Sequence, residues 1–141
     1  MFRNRSFVLL LRTIVVVSGT SLLPVGAAAE GKPLAVKAAK LAETYATDPA
    51  AFDKTYKDKT VEVEGVVETP KARDSLSKKD YVMLHGFRKK GDPGPTLVRC
   101  ELTKDLEGLK PGQTVRIKGT CHGHSKTLLA AEIVDCKLLK K

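Results

Sequence analysis

The side chains of this 141-residue sequence that could do chemistry are three cysteines, three histidines and several runs of lysine and arginine. Cys100, Cys121 and Cys136 are too few for a disulfide-dense miniprotein. Three thiols in one chain mean one disulfide with a thiol left over, pairing between molecules, or three buried reduced thiols. The tightest cluster is Cys121-His122-Gly123-His124, with His85 as a third imidazole. Sulfur and imidazole nitrogen suit zinc, copper or haem iron. A structural zinc site takes four ligands, usually with a Cys-x-x-Cys pair, and this sequence has none. It has no haem-attachment motif either. Cys121, His122 and His124 are therefore weak metal candidates, a solvated loop is the simpler reading of the two histidines, and no cofactor is expected. No Gly-x-Ser-x-Gly, P-loop or His-Glu-x-x-His motif appears, so the chain is read as a non-enzyme.

The basic residues fall in three groups: Lys71, Arg73, Lys78 and Lys79; Arg88, Lys89 and Lys90; and Lys126. Such clusters suit an anionic ligand. Single-stranded nucleic acid also needs aromatic stacking platforms. The sequence has four Phe, three Tyr and no Trp, and only Tyr81 and Phe87 lie near the basic groups. Glu68, Asp74, Asp80 and Asp92 dilute the field. An anionic oligomer of another kind is preferred over nucleic acid.

Several elements must position these groups. Residues 1–29 carry Arg3, Arg5 and Arg12, no acid, a long apolar stretch and Ala27-Ala28-Ala29. A basic start, an apolar middle and a small-residue site make a secretory signal peptide, cleaved near Ala29. The alternative is an uncleaved anchor. Arg12 interrupts that reading, since the uncharged run after it is short for a span of roughly 20 residues. Cleavage lowers the net charge from +9 to +6, because the leader holds three Arg. No transmembrane segment remains after it, and the address is periplasmic or secreted.

The spacing predicts a helix over 33–46, with Leu34, Ala38, Leu41 and Tyr45 on one stripe. A second short helix starts at Asp48-Pro49 with Asp48 as N-cap, and Tyr45, Phe52 and Tyr56 read as packing residues. From Thr60 the period becomes two. Strands are predicted from Thr60 to Glu68, Tyr81 to His85, Thr96 to Leu102, Gln113 to Cys121 and Leu128 to Leu139. Residues 70–80 read as a polar, basic loop, and 103–109 as a turn or two of helix. Gly65 marks a bend in the first strand. The division is a leader over 1–29, a helical segment over 30–58 and a β domain over 59–141. Five strands with a short helix between the third and fourth match a five-stranded OB-fold Greek-key barrel, mainly β with N-terminal helices.

The residues also resemble a known family. Leu41-Ala42-Glu43-Thr44-Tyr45, Ala51 to Lys59, Val61 to Val67, Val98-Arg99-Cys100-Glu101-Leu102, Leu109 to Gln113, Val115 to Gly123 and Asp135-Cys136-Lys137-Leu138 are together similar to the tRNA-anticodon-domain-like (tRNA_anti-like) OB-fold family of small exported bacterial proteins, many of them classed as lipoproteins. The chain departs from that pattern in having no Cys just after the apolar run, so it offers no lipid acceptor. The resemblance implies an OB-fold and an envelope location, and no established activity or catalytic residues.

In an OB-fold the third and fifth strands are parallel neighbours, and Cys100 and Cys136 both sit late in them. They are the better disulfide pair. Cys121–Cys136, or three reduced thiols, are the alternatives. OB-folds bind oligomers on the face of strands 2 and 3, between the first and last hairpin loops. Lys71, Arg73, Lys78, Lys79, Tyr81, Arg88 and Lys126 are therefore the candidate ligand-binding residues. The expected role is binding an unknown envelope ligand. A redox- or metal-responsive protein using Cys121, His122 and His124, and an adaptor for a protein partner, are the alternatives.

Overall fold

A computed structural model describes residues 31–140; the leader predicted over 1–29 lies outside them. The elements in order are β1 (Leu34–Lys37), α1 (Ala38–Thr47), α2 (Pro49–Tyr56), β2 (Thr60–Arg73), β3 (Asp80–Phe87), β4 (Thr96–Glu101), the 3-10 turn η1 (Lys104–Leu106), β5 (Thr114–Cys121) and β6 (Ala130–Lys140). The sheet runs β1-β2-β3-β4-β6-β5, and β5 returns to β2. Strands β2 to β6 thus close in the OB-fold order, and closure removes the free edges an open sheet would expose.

Alternation decides which side chains enter the barrel. Val61 and Val63 on β2, Val82 and Leu84 on β3, Val98 and Cys100 on β4, Val115 and Ile117 on β5, and Ala131 and Ile133 on β6 form its core. The apolar stripe of α1 joins them through Ala38, Leu41, Ala42 and Tyr45, and Phe52 of α2 completes it. Asp48 caps α2 by accepting a hydrogen bond from the Ala51 amide at 2.9 Å, and Pro49 opens the helix where its missing N–H costs nothing.

Gly65 sits where β2 changes partner. Residues Thr60 to Val66 pair with β5, and pairing with β3 begins at Val67. A Cβ on Gly65 would lie 2.7 Å from the Ala38 Cβ. The bare backbone therefore lets the start of α1 rest on the bend.

Two sequence expectations need correction. The helix predicted from residue 33 begins at Ala38; Leu34 to Lys37 instead form β1, parallel to Val61–Glu64 of β2. The Leu34, Ala38, Leu41, Tyr45 stripe hid this, because a four-residue strand leaves too little alternation to register. The loop predicted over 70–80 is also too long. β2 continues to Arg73, passing Pro70 inside the second of two register shifts against β3, between Thr69 and Ala72. An irregular ladder has no N–H to lose to proline.

Candidate ligand-binding face

Strands β3 and β4 form the face on which an OB-fold takes its ligand, and their outward residues include Tyr81 and Arg99. Pairing of β4 with β6 sets Arg99 opposite Glu132. The Arg99 guanidinium lies over the Tyr81 ring, 4.4 Å from its centroid. Its Nη2 donates to Glu132 Oε2 and its Nη1 to Asp74 Oδ2, both at 2.9 Å. The Tyr81 hydroxyl donates to the other Glu132 oxygen at 2.9 Å. Asp74 also organises the β2–β3 hairpin loop, since its Oδ1 accepts the Leu76 and Ser77 amides.

The network's charges are tuned by these contacts. Burial alone would lower the Arg99 pKa, but hydrogen bonds to Glu132 and Asp74 outweigh it and hold the value above the ordinary one. Burial would likewise raise Glu132, and hydrogen bonds from Arg99 and Tyr81 pull it below its usual range instead. Asp74 is held low by the Ser77 and Leu76 amides and then by Arg99. The centre of the face is thus ionised, internally paired and covered.

The candidate residues separate around this centre. Tyr81 is only 3% exposed, beneath Arg99, and offers no open stacking surface. Lys71 and Arg73 both reach Asp80, at 3.4 Å each, and Lys79 reaches Glu101 at 3.1 Å. Lys71, Lys79 and Lys104 line one open cleft with Asp80, Glu101 and Glu107. Lys78 is exposed at the hairpin tip with φ 58.

Of the remaining two, Lys126 lines a second cleft of about 350 Å³, between the β3–β4 and β5–β6 loops, and Arg88 stands behind its rim. Lys126 lines it with Tyr45, Pro93, Pro95, His124 and Leu129. Arg88 holds its rim by donating to the carbonyl of Asp92, at 3.3 Å. Leu129 stands 84% exposed there. The floor is rigid. The Tyr45 hydroxyl sits 3.0 Å from the carbonyls of both Ser125 and Leu128 and accepts from the Ser125 amide. The His124 ring packs on Tyr45 at 4.6 Å, and its amide donates to Asp53.

The histidine cluster does not converge. His122 turns toward Glu132, at 3.8 Å, while His124 turns to Tyr45. The buried Cys121 thiol donates to the His122 carbonyl. Among the described residues, no group of three or more His, Cys, Asp or Glu side chains is placed to hold a metal ion.

Sequence reasoning missed the central network. Alternation already put Arg99 and Glu101 outside the barrel, but the partners of Arg99 come from β6 and from a hairpin loop, and only the β4–β6 register joins them. The clamp of Tyr45 on the last loop was equally hidden, because the two segments are 80 residues apart.

A model of the tRNA_anti-like family matches residues 3–133. Among solved structures, the chain is similar to the crystal structure of a "putative nucleic acid-binding lipoprotein" from Klebsiella pneumoniae subsp. pneumoniae, with a TM-score of 0.55 and 18% identity, over 77% of this chain and 92% of that one. No curated protein matches.

Proposed function

The chain belongs to the tRNA_anti-like family, and from that premise we propose that it is a non-enzymatic, exported binding protein of the cell envelope whose ligand is an anionic oligomer. The observation that carries this reading is the contrast across the binding face. Its aromatic centre is sealed by Arg99, Glu132 and Asp74, while Lys71, Lys79, Lys104 and Lys126 line two open clefts. Lys71, Arg73 and Lys79 have carboxylate partners, but exposed pairs of this kind are worth about 0–1 kcal/mol. An incoming phosphate or sulfate can replace those carboxylates at little cost. The Lys126 cleft adds apolar walls from Pro93, Pro95 and Leu129 for the body of the ligand.

Single-stranded nucleic acid is the second reading. It is favoured by the description of the Klebsiella protein and opposed by the covered Tyr81. A panel of labelled ligands at low salt separates the two: an oligothymidylate, a sulfated glycan oligomer and neutral dextran, read by fluorescence anisotropy. The proposal expects both anionic oligomers to bind, the glycan at least as well, and dextran not at all. Tight, base-dependent oligonucleotide binding would favour the second reading. No binding to either anion would refute both.

A further inference from the structure

The three cysteines are buried, take no part in the binding face and stand in the structure as free thiols, so the expected Cys100–Cys136 disulfide is not shown. Ile133 on β6 is the register partner of both Cys100 on β4 and Cys121 on β5. Cys136, three residues further along β6, lies beside β5 and just past the end of β4, opposite Thr103, and strand order alone does not choose its neighbour.

A bulge chooses. β6 gains a residue against β5 between Val134 and Lys137, and Asp135 there has φ 52. The turn directs the Cys136 thiol inward, where it donates at 3.3 Å to the carbonyl of Ile133, the register partner of Cys100, within the core that both thiols share. Beyond Cys100, Thr103 donates to the Cys136 carbonyl at 2.7 Å and fastens the same stretch of β6 to the end of β4. Cys121 looks elsewhere: its thiol donates to the His122 carbonyl at 3.3 Å.

We infer that Cys100 and Cys136 form a disulfide that ties β4 to β6 through the barrel core, leaving Cys121 as the free thiol. The reaction is exchange with an external disulfide donor RS–SR. One cysteine thiolate attacks a donor sulfur and releases RS⁻. The second cysteine then attacks the mixed disulfide and releases the other RS⁻. The two thiol protons end on the two RSH products, and the donor takes up the two electrons the cysteines lose.

Attack requires a thiolate. In the closed barrel both sulfurs are shut from solvent, and hydrogen bonding with Cys136, then burial, push the Cys100 thiol well above its ordinary pKa. The bond therefore forms while β6 is still undocked and is then enclosed. The inference uses no ligand, so it stands or falls separately from the binding proposal.

The test starts from the wild-type full chain, with Cys121→Ser as its control. The protein is unfolded with reductant, refolded in a glutathione redox buffer, then denatured, alkylated and digested with trypsin. The three cysteines fall on separate peptides: Cys100–Lys104, Gly119–Lys126 and Thr127–Lys137. The expected result is one alkylated cysteine, Cys121, and a cross-linked peptide joining Cys100–Lys104 to Thr127–Lys137. Cys121→Ser should keep that link. Three alkylated cysteines, or a link to Gly119–Lys126, would overturn the inference. The same buffer applied to the folded, reduced protein should form the bond at least about tenfold more slowly than refolding does. Equal rates would contradict formation before closure.

Discussion

Arg99 is the residue on which the binding face depends. Two carboxylates and an aromatic ring hold it, and its side chain is only 12% exposed. Truncation leaves Glu132 and Asp74 facing each other without a counter-charge, so Arg99→Ala should cost about 2 kcal/mol in urea unfolding. Arg99→Lys should recover less than half, because one ammonium cannot reproduce the fork that spans both carboxylates and the ring. Glu132 gives the matching pH dependence. Its folded pKa lies below the ordinary 4.5, so its contribution is complete above that value and is lost as pH falls through the lower folded one. Glu132→Gln should therefore lower the urea midpoint at neutral pH, and the gap to the parent protein should narrow as the pH falls below 4.5. At this scale the sequence showed only types. Lys71, Lys78, Lys79 and Lys126 could be named as exposed cations because charge avoids the core. Tyr81 read as a platform because the residue that covers it is 18 positions away on another strand, with its carboxylate partners on two further segments.

The elements were more legible than the residues, and the reasons are periodic. β3, β4 and β5 alternate cleanly because one face is buried, and each appears within two residues of its predicted position. Asp48-Pro49 announced α2 through capping chemistry. β1 was invisible because its order comes from parallel pairing with β2 rather than from its own pattern. The extension of β2 past Pro70 was hidden because bulges let proline into a strand. Gly65 was read as a bend, and the structure adds what the bend accommodates. Gly65→Ala should destabilise by about 1–3 kcal/mol, since the new Cβ meets Ala38 and then Leu84. Tyr45→Phe tests the tie between α1 and the last loop. It should cost about 1 kcal/mol and speed hydrogen exchange at the Ser125 amide, with the core strands unchanged.

Across the whole molecule, charge and core are separated. The barrel interior and the α1–α2 cover hold no buried polar or charged residue among the described residues, so the ionic groups lie outside the core, the Arg99 network covered and the basic groups at the clefts where salt and ligands reach them. The +9 of the full sequence overstates the field at the binding face: three of those charges lie in the predicted leader, and Asp80, Glu101, Asp74 and Glu132 answer several others. What remains for a ligand is the pair of clefts beside the sealed centre. The most direct measurement is the affinity of the full chain for a labelled sulfated glycan oligomer across a salt series, compared with Lys126→Glu. The account predicts that log affinity falls linearly with log salt and that Lys126→Glu weakens binding about tenfold at low salt with a shallower slope. Binding indifferent to salt, or unchanged by Lys126→Glu, would contradict it.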